Sequence, residues 1–161
     1  MTRRRVGAAT RVGCVSDTHG LVRPEALTAL ARVDLIVHAC DVGAPEVLDR
    51  LRARAPVVAI RGNNDHGAWA KRLPDTEVVE VGGRSLYLIH DVNELDLDPA
   101  AAGFDVVVSG HSHRPEVETR GGVLFLNPGS IGPRRFKLPV ALAVLRISGR
   151  AVRARIVELE V

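Results

Sequence analysis

The feature that most constrains this chain is a series of short apolar runs, each breaking off at a polar cluster. Val12-Gly13-Cys14-Val15 stops at Ser16-Asp17, and Leu35-Ile36-Val37 stops at His38-Ala39-Cys40-Asp41. Val57-Val58-Ala59-Ile60 stops just before Gly62-Asn63-Asn64-Asp65. Runs of this length, bounded by polar residues, read as buried strands. Between them, Pro24 to Leu30 and Pro45 to Arg54 carry helical spacing with proline in the first turn. A βαβαβ series implies parallel strands joined by helical crossovers, and open α/β sheets take their ligands at the carboxyl ends of such strands.

The second half of the chain changes character. Glu77 to Val81, Gly82-Gly83 and Arg84 to Ile89 predict a hairpin, because paired glycines supply the positive φ of a tight turn. Val106-Val107-Val108 predicts another buried strand. Val117 to Arg120, Gly121-Gly122 and Val123 to Leu126 predict a second hairpin, and Val140 to Ile147 with Val152 to Leu159 an antiparallel pair turning at Gly149. With 161 residues and no internal repeat or linker, residues 1–161 are expected to form a single domain in which two sheets pack together with helices outside. Residues 1–9, opening Met1-Thr2-Arg3-Arg4-Arg5, are expected to be a flexible arm.

Composition removes several functional classes. No apolar run approaches the roughly 18 residues that span a bilayer, and no apolar signal core follows the basic terminus. Two cysteines make no disulfide framework, so a cytoplasmic location is expected. The net charge of +3 comes from twenty arginines and only two lysines, Lys71 and Lys137. Those arginines are scattered, apart from Arg3 to Arg5, a helical group at Arg50, Arg52 and Arg54, and Arg134-Arg135. Aromatic residues make up 3%, too few for base-stacking platforms, so nucleic acid is disfavoured as a partner.

The polar clusters, taken in order, are Asp17-Thr18-His19, Asp41, Gly62-Asn63-Asn64-Asp65, His90, Gly110-His111-Ser112-His113 and Asn127-Pro128-Gly129-Ser130. Four of the six histidines fall in them. A carboxylate and an imidazole one residue apart share a side of an extended segment and can reach one ion. Mixed carboxylate, imidazole and amide donors suit Mn, Fe, Zn or Ni, whereas a cysteine-rich structural zinc site is excluded by composition. Singly, Asp-x-His also reads as a capped loop end, and Asn-Pro-Gly-Ser as a plain turn. Their succession at strand ends is what turn chemistry alone rarely produces.

Asp17-x-His19, Asp41, Gly62-Asn63-x-Asp65, His90 and Gly110-His111-x-His113 resemble the signature of the calcineurin-like metallophosphoesterases. The short length and Asn127-Pro128-Gly129-Ser130 are similar to the small YfcE-like phosphodiesterase branch, which also contains the retromer-subunit relatives. The resemblance covers roughly residues 10 to 147. It implies a four-layer αββα sandwich, two mixed β-sheets flanked by helices. It also implies two divalent ions, with Mn favoured and Ni, Fe, Zn or Mg as alternatives. Asp17, His19 and His113 would hold the first, Asn63, His90 and His111 the second, and Asp41 would bridge them. Such a pair clamps a phosphoryl group and generates a bridging hydroxide for in-line attack on phosphorus.

Three positions depart from the pattern. Cys40 stands where the family usually has glycine before the bridging aspartate, and Asp91-Val92 follows His90 in place of Gly-His. Asn64 occupies the place of a histidine found in many monoester phosphatases. An amide cannot donate a proton near neutral pH, which favours small phosphodiesters over alkyl monoesters as substrates. Asn64, Asp65 and His66 are the candidate catalytic residues, with His66 a candidate acid. Arg134 and Arg135 are candidate phosphate contacts, of which only one can point inward from an extended segment. Asp91 is expected to cap a turn over Asp96 to Ala102 or to bind a metal. His38 is expected to pack in or near the core, and Cys14 and Cys40 to be small buried thiols, which could approach each other if their strands are neighbours. The competing functional readings are a phosphomonoesterase, a protein-interaction scaffold and a nuclease; homo-oligomerisation is left open.

Overall fold

Three parallel strands begin the chain: β1 (Thr10–Val15), β2 (Leu35–His38) and β3 (Val57–Ala59). Their crossovers carry α1 (Pro24–Ala29) and α2 (Pro45–Arg52), each with proline in its first turn as the sequence predicts. The computed structural model describes residues 9–161, so the arm expected at 1–9 lies, apart from Ala9, outside the described residues. Strands β9 (Ala141–Ser148) and β10 (Ala151–Glu158) complete this sheet in the order β10-β9-β1-β2-β3, with β9 antiparallel to β1.

The second sheet has the order β4-β5-β6-β8-β7. Here β4 (Thr76–Val81) and β5 (Arg84–Ile89) form the first hairpin, and β7 (Glu116–Arg120) and β8 (Val123–Asn127) the second. Both turn through glycine pairs with positive φ at each residue, Gly82-Gly83 and Gly121-Gly122. That geometry matches the right-handed twist of the flanking strands and is strained for other residues. The central strands β5, β6 (Val106–Ser109) and β8 run parallel. Both sheets are therefore mixed: the second has antiparallel hairpins on both sides of its parallel strands, the first only on the β9-β10 side, with β3 as its parallel edge.

The two sheets close on each other over a core that includes Val12, Val37, Leu86, Leu88, Val106, Val108 and Leu145, all fully buried. On the outer face of the first sheet, α1 and α2 cover a second core through Ala26, Val47, Leu48 and Leu51. The outer face of the second sheet is covered differently. Val92, Leu95, Leu97 and Phe104 pack there against Tyr87, Ile89, Val107 and Val123, with the Tyr87 and Phe104 rings stacked 4.8 Å apart. This segment holds one short 3₁₀ turn, Val92–Glu94, in place of an outer α-helix. Asp98 accepts from the backbone N–H groups of Ala100 and Ala101, and the residue before Pro99 is disfavoured in helical conformation. Among the described residues no helix is long and apolar enough to cross a membrane.

Leu145 carries no exposed surface and lies between the sheets. Leu145→Ala removes that side chain and leaves a cavity, so urea unfolding of the variant is expected to show a loss of about 2–5 kcal/mol. A loss under 1 kcal/mol would contradict the placement of this core.

Candidate metal centre

All six central parallel strands end at one side of the sandwich, and each delivers a polar cluster there. Strand β1 leads into Asp17 and His19, β2 into Cys40 and Asp41, β3 into Asn63, β5 into His90, β6 into His111 and His113, and β8 into Asn127. The pairing keeps these ends level: Val15 lies beside His38, and Ile89 beside Ser109. The local geometry differs from the extended alternation expected for Asp-x-His and His-x-His. Asp17, His19, Cys40, Asp41, His111 and His113 all have positive φ, six of the seven described non-glycine residues that do. The chain curls left-handed at these residues instead of running straight. Asp and His enter that region more readily than most side chains.

One group comprises Asp17, His19 and His113, whose ligand atoms lie within 4.8 Å of one another. Asp17 Oδ1 is 3.5 Å from His113 Nε2 and 3.9 Å from His19 Nε2, and the two imidazole nitrogens are 3.3 Å apart. Asp17 is fully buried, yet its Oδ1 has no hydrogen-bond partner, and neither has His113 Nδ1. Burial pushes the Asp17 carboxyl up to about 7; the Ser16 hydroxyl opposes the rise, while the charge and hydrogen bond of Asp41 add to it. Burial, then the Arg135 and His19 charges, lowers the His113 imidazole to about 4.

The second group adjoins the first through Asp41, whose charge acts on Asp17. Asp41 Oδ2 lies 3.8 Å from His90 Nε2, which is itself 2.8 Å from His111 Nδ1. Asn63 donates its backbone N–H to His90 Nδ1 at 3.2 Å and lines the same cleft as His90 and His111. The Sγ of Cys40 belongs to this group, within 4.8 Å of one Asp41 oxygen and one His90 nitrogen.

Residues that sequence reasoning passed over hold the ligands in place. Ser16 Oγ donates to Asp17 Oδ2 at 2.7 Å. Asn127 donates from Nδ2 to the Gly110 carbonyl and Ser112 Oγ, and Ser130 Oγ donates to the Asp17 carbonyl at 2.9 Å. The Asn-Pro-Gly-Ser turn thus ties the β6 loop to the β1 loop, a role no local signal in the sequence carries. Gly110 is needed for space: a Cβ there would stand 2.9 Å from Asp17 Oδ2 and 3.0 Å from Cys40 Sγ. Thr18 Oγ1 donates to the Val42 carbonyl and accepts from His38 Nε2, while His38 Nδ1 accepts the Cys40 N–H. His38 is fully buried and neutral, lowered to about 4 by burial, and packs as the sequence predicts.

The remaining candidates fall into three places. Asp65 is buried and spends Oδ2 on the N–H groups of Val42 and Gly62 and Oδ1 on that of Gly43, binding the β2 and β3 loops together. Asn64 is exposed, and its backbone N–H reaches Asp41 Oδ1 at 3.2 Å. His66 lines a cleft of about 870 Å³ alongside the second group. Arg134 and Arg135 are both exposed, and only the charge of Arg135 acts on His113. Asp91 does not cap residues 96–102; its Oδ1 caps the 3₁₀ turn at Asn93, and its Oδ2 lies 4.0 Å from His111 Nε2. Both cysteines are free and buried, which raises both thiols.

The sequence profile of the calcineurin-like phosphoesterase superfamily domain matches residues 10–150. The chain belongs to that family. A probable metallophosphoesterase of Methanocaldococcus jannaschii is 36% identical over 138 residues, 78% of this chain and 70% of that protein. A phosphodiesterase of the same archaeon is 26% identical over 138 residues, covering 74% and 82%. Among solved structures, Vacuolar Protein Sorting 29 of Cryptosporidium parvum superposes with a TM-score of 0.81 at 20% identity, over 94% of this chain and 92% of that one. That likeness shows the shared sandwich. Membership implies divalent metal ions, and this chain's residues fit them. A buried carboxylate oxygen and a buried imidazole nitrogen without partners are costly unless something else satisfies them.

The raised Asp17 carboxyl makes a signed prediction for the metal-free protein. In the unfolded chain the group ionises near its ordinary value, and in the native site only near 7, so native stability falls as pH rises between them. Asp17→Asn removes the ionisation. The metal-free variant should gain melting temperature over wild type at pH 8, with the gain vanishing near pH 4. With metal present the order should reverse at pH 8. A gain independent of pH would assign the effect to packing.

Proposed function

We propose that the protein is a dinuclear metal-dependent hydrolase of small phosphodiesters, with residues 1–161 acting as one domain in the cytoplasm. The observation that carries this reading is the pair of adjoining donor groups at the strand ends, joined through the neighbouring Asp17 and Asp41 carboxyls. Asp17, His19 and His113 would hold one ion, Asn63, His90 and His111 the other, and Asp41 would serve both. When bound, two such ions activate water and neutralise charge on a phosphoryl group. Mn suits the nitrogen and oxygen donors of this set, with Ni, Fe, Zn and Mg as alternatives.

The protein's own residues do the rest. Asn64, exposed beside Asp41, offers a neutral hydrogen bond to a phosphoryl oxygen and no proton. His66 lines the cleft wall as a candidate acid, and Arg135, on the His113 side, binds phosphate. Asp65 acts through the loops it ties together, without touching substrate. The cleft beside the second group gives a diester's second substituent room, and Asp91, Glu94 and Asp96 in its wall oppose a polyanionic polymer. The relative named as a phosphodiesterase supports the diester reading.

Elemental analysis after anaerobic purification should give two ions per chain. Asp41→Asn should lose far more activity than Asp91→Asn, because the Asp41 carboxylate serves both positions. Equal losses would put Asp91 among the direct ligands.

Wild type should hydrolyse aryl diesters with higher kcat/KM than the matching monoesters. Asn64→His should shift that ratio toward monoesters, within the roughly 10²–10⁴-fold range of general-acid assistance and most for poor leaving groups. A wild-type preference for monoesters, unmoved by the substitution, would refute the diester assignment.

A further inference from the structure

The cysteine that replaces the family's usual glycine sits inside a donor cluster. The Cys40 sulfur, an Asp41 carboxylate oxygen and a His90 ring nitrogen all lie within 4.8 Å of one another. A tetrahedral zinc-type ion takes sulfur at about 2.3 Å and nitrogen at about 2.0–2.1 Å, so its donors stand roughly 3.5 Å apart. The three atoms, within 4.8 Å of one another, need to close by at most about 1.3 Å to share one ion. They come from two loops, after β2 and β5, and Cys40 is fully buried at the edge of the core between the sheets.

The sulfur's present contacts leave it available. It lies 3.8 Å from Ser16 Oγ and 3.9 Å from the His90 carbonyl, both weak interactions for sulfur. Gly110 packs closely over the sulfur and Ser16 Oγ, where a Cβ would stand 3.0 Å from the sulfur and overlap the hydroxyl. Cys14 provides the contrast. It is equally buried, but its thiol reaches only the Val12 carbonyl at 3.9 Å and belongs to no donor group.

We propose that Cys40 is a direct ligand of the second metal ion and makes that position selective for a thiophilic ion, zinc above all, over Mn or Mg. The inference rests on the dinuclear reading above and narrows it: the nitrogen and oxygen donors of Asp17, His19 and His113 leave the first position open to Mn, while the second gains a soft donor. On binding, the S–H bond breaks, the sulfur donates an electron pair to the ion, and the proton passes to solvent. A coordinating thiol is deprotonated outright, and no electron changes hands. His90 and Asp41 keep their places, so the cysteine adds to the ligand set without displacing a member.

Cobalt(II) reports sulfur ligation through a thiolate-to-metal charge-transfer band in the near ultraviolet, whatever the activity. The chain has two cysteines, so wild type, Cys14→Ala and Cys40→Gly form a complete set. Wild type and Cys14→Ala loaded with two cobalt ions should show the band, and Cys40→Gly, still holding two ions, should not. In competition titrations the zinc-over-manganese preference of the thiol-containing position should fall about tenfold or more in Cys40→Gly. If Cys40→Gly does not fold, retention of the band in Cys14→Ala still assigns it to Cys40. Two bound cobalt ions without a band, or loss of the band in Cys14→Ala, overturns the ligation and leaves the dinuclear reading standing. A band with only one ion per chain keeps the ligation and overturns the dinuclear reading; one ion and no band overturns both.

Discussion

Two carboxylates, Asp17 and Asp41, are buried side by side, and the rest of the site is organised around the cost of keeping them there. Each is removed from water, each repels the other when ionised, and one Asp17 oxygen lacks any hydrogen-bond partner. Such a pair persists only where a cation compensates it or one group stays protonated. The raised Asp17 carboxyl is the protonated solution. The imidazoles of His19, His90 and His113, at 3.5–3.9 Å from these carboxylates, are what an ion would find on arrival.

Holding those groups in register requires backbone that the sequence does not favour. Left-handed non-glycine residues cost of order 1–3 kcal/mol each where surrounding structure does not enforce them. Here the enforcement is explicit. Asp65 collects three N–H groups from the β2 and β3 loops, Asn127 bridges the β6 loop, and Ser130 and Thr18 fasten the β1 loop to its neighbours. Most of these bonds are buried side chain to backbone contacts. They fix loop shape without consuming the ligand atoms.

The two sheets divide the candidate ligands between them. The first sheet contributes Asp17, His19, Cys40, Asp41 and Asn63; the second contributes His90, His111 and His113. The inter-sheet core of valines and leucines therefore sets the distance across the centre. It also lets His113 of the second sheet close on Asp17 of the first, while His111, two residues earlier, turns to His90. A side chain in this core can affect the centre without approaching it.

The sequence by itself determined the strands, the crossover helices, both Gly-Gly hairpins and the succession of polar clusters at strand ends. Each is written in local pattern: apolar runs of strand length, proline in first turns, and glycine pairs where positive φ is required. It also determined which residue types were available as ligands. Tertiary structure alone decided how they are shared out. Asp17 and His19 meet through left-handed backbone, not through the period-two alternation of a strand, and His111 and His113 part to different groups. It decided that Asp65 ties loops together, that Asn127 and Ser130 brace two ligand loops, and that Cys40 lies beside Asp41 and His90. It also covered the second sheet with an irregular segment where a helix was expected. The physical reason is common to most of these. They depend on contacts between residues 15 to 113 positions apart, and only the packing of strands and sheets brings such residues within hydrogen-bonding reach.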